Sequence, residues 1–233
     1  MPKIAENKSK FSCEYCKKSF ARERTLESHA CEPRRRWRTK DETRIQIAYD
    51  TFKRFYRRCQ GPGTKDKTYA EFIKSAYYNA FVSFGNYCVN NNVFAPTRFA
   101  DFLIKNEIRV DDWPTDALYT KFLIYFIAKE PVSDALTRTI QFAIKYGERN
   151  KIKYNDLFRK ASLDVLCNEI NKGNISPWTL YMSNSGQSFL SILEEYDHKE
   201  IWQMINADIW EKRFNDNTGD VEFAKNILTL GGW

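Results

Sequence analysis

The spacing Cys13-x2-Cys16-x12-His29-x-Cys31 constrains this chain more than any other feature. Two thiols from one turn and two donors from the segment after it can close a tetrahedron around Zn²⁺, the geometry of a structural zinc site. The apolar residues sit where such a unit needs them. Phe11 lies two positions before the first cysteine, Phe20 four after the second, and Leu26 three before the histidine. Together they form the miniature core expected to wrap the ion. A bare Cys-x-x-Cys pair could be redox-active or inert; the histidine and the three apolar positions favour metal. Four protein ligands leave no open coordination position, so the expected role of the ion is structural rather than catalytic. Its apparent binding energy, on the order of 10 kcal/mol, would fold the module.

These residues resemble the C2H2 zinc-finger family. The resemblance covers residues 11–32 and implies a small ββα fold. One ligand departs from the family pattern. A second histidine should follow the first after three to five residues, but those positions hold Pro33, Arg34 and Arg35. The available donor is Cys31. Residues two apart on a helix face opposite sides, so the helix must unwind at Ala30 for Cys31 to reach the ion, and Pro33 agrees with a break there. The expected ligand set is therefore Cys3His: Cys13, Cys16, His29 and Cys31. The family also implies that the finger helix enters the major groove. Its base-facing positions, counted back from His29, fall on Arg22, Arg24, Thr25 and Ser28. Arginine at the first of these suits a bidentate contact to guanine. Thr25 and Ser28 are short, permissive partners. One finger covers about three base pairs, too few for specificity alone, and some fingers of the family bind protein instead.

The charge distribution favours nucleic acid, with DNA ahead of RNA. Directly after the finger comes Arg34-Arg35-Arg36-Trp37-Arg38-Thr39-Lys40. Residues 1–60 carry 17 Lys and Arg against 8 Asp and Glu, whereas the rest of the chain carries 20 against 22. The whole-chain charge of +7 is thus an N-terminal property. Arg34, Arg35, Arg36, Arg38 and Lys40 are expected to grip phosphates without reading sequence, with affinity falling steeply in salt. Trp37 has two readings: it stacks on an exposed base, or it anchors the basic arm to the body of the protein.

The length of 233 residues allows the finger and one further domain. The expected organisation is a flexible tail over 1–10, the finger over 11–32, a basic arm and linking helix over 33–60, and an all-α domain over 61–233. In that body the apolar residues repeat with helical spacing. Ile45, Ala48, Phe52 and Phe55/Tyr56 mark a helix over 41–59, ended by Gly61-Pro62-Gly63. Ile73, Tyr77, Phe81, Phe84 and Cys88 mark one over 66–90, and these aromatics read as core rather than as a stacking platform. Proline start signals at Pro96, Pro114, Pro131 and Pro177 lead to helices over 96–106, 114–129, 132–147 and 177–182. Others are expected over 155–171, 186–195, 198–205, 207–214 and 219–229. The fold class is therefore mainly α, a small N-terminal ββα finger followed by an all-α domain.

No apolar stretch is long enough for a membrane span, and isolated Cys59, Cys88 and Cys167 point to a reducing, cytoplasmic setting. No catalytic residue is expected. His198 lies in a charged, exposed segment, Gly61-Pro62-Gly63-Thr64-Lys65 lacks phosphate-loop spacing, and no GxSxG elbow occurs. Ser176-Pro177-Trp178 with Ser183-Asn184-Ser185-Gly186 reads as a capped helix connection or a partner-docking loop. A wider likeness rests on the lone finger, His-x-Cys, the arginine run and the aromatic-rich segment from Thr68 to Phe81. In these the chain is similar to uncharacterised zinc-finger proteins of large tailed bacteriophages, which implies the host cytoplasm and phage DNA metabolism or gene regulation. The leading expectation is a non-enzymatic, zinc-dependent nucleic-acid-binding protein whose helical part recruits a protein partner or dimerises. The alternatives are an adaptor docking an acidic protein surface, and a DNA-processing enzyme with its site in the helical domain.

Overall fold

A computed structural model describes residues 11–61 and 63–233. The tail expected over 1–10, and Pro62 of the helix-ending turn, lie outside the described residues. The described chain holds fifteen α-helices and one two-stranded hairpin, so it is mainly α with a small N-terminal ββ unit. None of its helices is long and apolar enough to cross a membrane. The described residues pack as two compact units, the first within 11–90 and 95–114, the second of 91–94 and 115–233. Residues 61–233, expected as one domain, are shared between them.

The first unit opens with β1 (Phe11–Ser12), β2 (Ser19–Phe20), α1 (Glu23–Glu27) and α2 (Glu32–Arg38). Its body is α3 (Thr43–Gln60), α4 (Tyr69–Lys74), α5 (Tyr78–Asn90), α6 (Pro96–Lys105) and a 3-10 turn at Val110–Asp112. The basic linking segment is two helices rather than one, broken at Thr39–Glu42. The apolar stripe on α3 is buried at Ile45, Ala48 and Phe52, with Phe52 edge-on to Phe81 of α5, and both α5 and α6 pack on this helix. Trp113 closes this core: its ring lies edge-on to Phe81 and Phe84, and its Nε1 donates to the Ile108 carbonyl at 2.9 Å.

The helix expected over 66–90 is α4 and α5. The chain breaks at Ser75, whose backbone is extended (ψ 139°), and Ser75 Oγ accepts from the Tyr77 N–H. The break resets the helical phase. Tyr78 takes the inward position, and Tyr77, expected in the core, is 49% exposed. α4 begins in a capping box, with Thr68 accepting from the Glu71 N–H and Glu71 accepting from the Thr68 N–H. That second bond, from the Thr68 backbone, is the main reason the Glu71 carboxyl is held down at about 2.

α3 and α5 approach closely at Gly85, where a Cβ would stand 2.1 Å from the Arg44 carbonyl oxygen. Backbone cannot swing aside as a side chain can. Gly85→Ala is expected to destabilise the protein by about 1–3 kcal/mol, the usual range for overpacking. Urea denaturation reads this as a lower midpoint; an unchanged midpoint would mean the two helices can part at no cost.

The second unit runs α7 (Asp116–Ile127), α8 (Val132–Asn150), a 3-10 turn at Tyr154–Asp156, α9 (Leu157–Lys160) and α10 (Leu163–Asn171). It continues with α11 (Pro177–Met182), α12 (Asn184–Ser191), α13 (Glu195–Ile205), α14 (Ala207–Asp216) and α15 (Thr218–Leu230). The helix expected over 155–171 is interrupted at Ala161 and Ser162, both extended. Helices α12 and α13 each start earlier than the residues 186 and 198 expected for them, because Ser183 and Glu194 cap their first turns. α8 buries Val132, Ala135, Leu136, Thr139, Ala143 and Gly147 along one face.

The serine-rich break is a capped, buried connection. Ser176 Oγ accepts from Trp178 N–H, and Ser183 Oγ accepts from Gly186 N–H while donating to the Thr179 carbonyl. Trp178 is fully buried and packs on Trp210 and Phe214. Gly231-Gly232-Trp233 closes α15. Trp233 is buried against Phe158 and Tyr154, and Asn155 Nδ2 donates to the Gly231 carbonyl. His198 is half-buried rather than exposed.

Candidate metal centre

The hairpin pairs Phe11 with Phe20 and Ser12 with Ser19. Its turn is tied by Cys13 N–H to the Lys18 carbonyl (2.9 Å) and by Lys17 N–H to the Cys13 carbonyl (2.8 Å), with Lys17 in the left-handed region (φ 62°). This turn presents Cys13 and Cys16 together. α1 follows an extended Arg22 and lasts five residues. It stops earlier than the expected break at Ala30. Ser28 ends it, and His29 keeps only a short-range bond from its N–H to the Leu26 carbonyl. Cys31 is fully extended (φ −121°, ψ 156°) and caps α2. The physical reason is the one-residue gap: two donors at i and i+2 reach one point only if the backbone between them leaves the helix. Pro33 does not end α1. It occupies the first turn of α2, where its missing N–H costs nothing.

The four donors converge. Cys13 Sγ and Cys31 Sγ are 3.8 Å apart, Cys16 Sγ and His29 Nε2 are 3.2 Å apart, and all four donor atoms lie within 4.8 Å of one another. It is a group able to hold a metal ion, and the one group of its kind among the described residues. Cys13 is buried; Cys16, His29 and Cys31 are half-buried. The Phe20 ring packs 4.7 Å from the His29 ring and fixes its plane. Backbone N–H groups of Cys16 and then Tyr15 face the Cys13 sulfur, and the balance against burial holds its thiol below the ordinary value. Burial pushes the Cys31 thiol up, partly offset by the Arg34 N–H. A metal ligates thiolate, so donated N–H bonds at sulfur favour the binding form.

Arg22, Arg24, Thr25 and Ser28 are all exposed, on α1 and its two flanks. The Ser28 hydroxyl donates to the Arg24 and Thr25 carbonyls at 3.0 and 3.3 Å. The basic run divides into inward and outward residues. Arg34 Nη1 donates to the His29 carbonyl at 2.9 Å and to the Glu27 carbonyl at 3.4 Å, so it clasps the end of the finger. Arg36, with its side chain 17% exposed, bonds Glu32 and the Ile73 carbonyl (2.7 Å), and its guanidinium lies 4.0 Å over the Tyr78 ring. Trp37 lies between Tyr15 of the finger (5.8 Å) and Tyr69 of α4 (5.4 Å), with Lys40 Nζ 5.5 Å over its ring. Tyr69 Oη donates to the Arg36 carbonyl. Of its two readings, the anchor is the one this packing matches. Arg35 is exposed and paired with Glu32 at 2.7 Å, an interaction that holds the Glu32 carboxyl below its usual range. Arg38 is exposed, with no ion pair among the described residues.

Neither the clasp by Arg34 nor the identity of the rings that hold Trp37, Tyr15 and Tyr69, is signalled in the sequence. Both join segments whose pairing no local spacing encodes. No protein-family model, curated protein or solved structure matches the chain. The likeness to zinc fingers therefore rests on residues 11–31, and nothing adds to the wider likeness to phage proteins.

Proposed function

We propose that the chain is a zinc-dependent nucleic-acid-binding protein, with duplex DNA as its target. The donor set supports Zn²⁺. Three thiolates and one imidazole form the soft, four-coordinate set that zinc takes in structural sites. With Zn–S bonds of about 2.3 Å, a regular tetrahedron has S···S edges of about 3.8 Å, the separation of Cys13 and Cys31. Cys13, Cys16, His29 and Cys31 would hold the ion, which supplies folding energy and no reaction step.

One observation carries the reading toward nucleic acid. Arg22, Arg24, Thr25 and Ser28 are exposed together on α1 and its two flanks, between the two halves of the Cys3His group. The unit bearing them is cationic, with 20 Lys and Arg against 13 Asp and Glu among its described residues. In this reading Arg22 and Arg24 reach base edges. Phosphate contacts fall to Arg35, Arg38 and Lys40, while Arg34, Arg36 and Trp37 hold the finger and α2 on the body. A role in phage DNA metabolism or gene regulation, in the host cytoplasm, is the setting implied by the wider likeness.

Fluorescence anisotropy with a short labelled duplex tests this, using metal-loaded and chelator-treated protein across a salt series. Binding is expected only with metal. Arg22→Ala should weaken it by about 5–100-fold on a preferred site, and Arg35→Ala and Arg38→Ala should each lower the salt slope by about 1. No binding by metal-loaded protein at low salt would overturn the reading, and an acidic protein surface would become the ligand to seek.

A further inference from the structure

A groove of about 630 Å³ opens on the first unit, between the last turn of α3, Tyr77, and the segment joining α6 to the 3-10 turn. Its walls combine two aromatic residues, Phe55 and Tyr77, with three cations, Arg58, Lys105 and Arg109. Phe55 is anchored edge-on to Phe81 and Trp113, whereas Tyr77 stands half exposed beside it. The other cations of the second half of α3 are neutralised: Lys53 by Asp50, Arg54 by Asp101, Arg57 by Asp66. Arg58 and Lys105, which line the groove, have no ion pair among the described residues. Arg109 reaches Asp111 only at 4.0 Å and is 81% exposed. Glu107 and Asp111 complete the rim.

We infer that this groove binds an unpaired stretch of nucleic acid, with a base stacked on Tyr77 and its phosphates on Arg58, Lys105 and Arg109. An exposed aromatic beside a cationic track is the arrangement that takes single strands without sequence preference. The groove has the size of a pocket for one small ligand, so it suits a base splayed from its stack and not a duplex. Carboxylates at the rim accept from base amino groups. The inference rests on the nucleic-acid reading above and assigns that ligand a second, separate site.

Cys59 lines the groove and is exposed. Cys88 and Cys167 are buried, with thiols pushed up to about 12 and about 11, and the other three cysteines belong to the metal group. In the metal-loaded chain Cys59 is therefore the thiol that an alkylating reagent labels, and it reports on the groove alone. The experiment measures that rate with saturating oligothymidylate, oligouridylate, a duplex, or polyglutamate. Either single strand is expected to slow labelling several-fold, the two strands showing whether the sugar matters, and the duplex is expected to leave it unchanged. Tyr77→Ala, a change at a half-exposed ring, should weaken single-strand binding about 5–100-fold and leave duplex binding intact. Lys105→Ala should lower the single-strand salt slope by about 0.7. Duplex binding with Cys59 still open under single strand, and with Tyr77→Ala unaffected, would overturn the groove and leave the finger reading standing. Protection by single strand without duplex binding would uphold the groove and remove the finger's proposed target. Protection by polyglutamate alone would overturn the groove inference in favour of a protein ligand.

Discussion

Replacing Cys13 with serine is expected to abolish metal binding and to melt residues 11–31, while α3 to α15 stay folded. The finger has almost no core of its own. Phe11, Phe20 and Leu26 are only half-buried, and Cys13 is its one buried residue. A structural zinc ion contributes roughly 10–16 kcal/mol of apparent binding energy to such a unit, far more than three half-buried side chains can replace. The loss should stop near Glu32. α2 is held from the other side, through Arg36 on the Ile73 carbonyl and Tyr78 ring and through Trp37 on Tyr69. Metal analysis and hydrogen exchange check this together. Metal content should fall to none, protection should vanish over 11–31, and the helical circular dichroism should keep most of its amplitude. Retained metal in Cys13→Ser would remove Cys13 from the ligand set. A collapse of the whole helical signal would show that the first unit depends on the finger.

The metal group was legible because its constraint is local. His29-x-Cys31 forces a non-helical link whatever surrounds it, and that break is present, although it begins at Ser28. Helix starts at Pro96 and Pro177 were legible for the same reason: proline is preorganised for the first turn. Tyr77 was misplaced because the stripe from Ile73 to Cys88 stays in register only along an unbroken helix. Ser75 ends α4, and Tyr78 inherits the inward position. Trp37 could not be resolved from sequence, since its partners are Tyr15 and Tyr69, one on each side of the basic run. The same holds for Arg34 and Arg36. A run of arginines reads as one solvated face, but two of its members are spent on carbonyls of the finger and of α4. The division near residue 114 left no mark in composition, because both units share one helical pattern.

Glu130→Ala is expected to cost about 3–5 kcal/mol, the usual penalty for leaving a buried charge without its partner. The Glu130 side chain is fully buried and that of Arg138 is 13% exposed. Both carboxylate oxygens are taken by the Arg138 guanidinium, with Nη2 to Oε1 at 2.7 Å, and the guanidinium lies 4.7 Å over the Phe94 ring. The backbone at this corner is gripped as well. Arg213 donates to the Ile127 carbonyl and, at 2.6 Å, to the Glu130 carbonyl, while stacking on Trp178 and Trp210. Burial pulls the Arg213 guanidinium below its ordinary value, so this corner already holds one desolvated cation. Without Glu130 it would hold two. Glu130→Leu with Arg138→Met should recover most of the loss, because a buried ion pair replaced by apolar groups of similar volume is often neutral. Denaturant unfolding of Glu130→Leu, Arg138→Met and the double decides the matter. A double variant more stable than Glu130→Leu alone would show that the penalty lies in the orphaned guanidinium. Strict additivity would show that the two residues act independently.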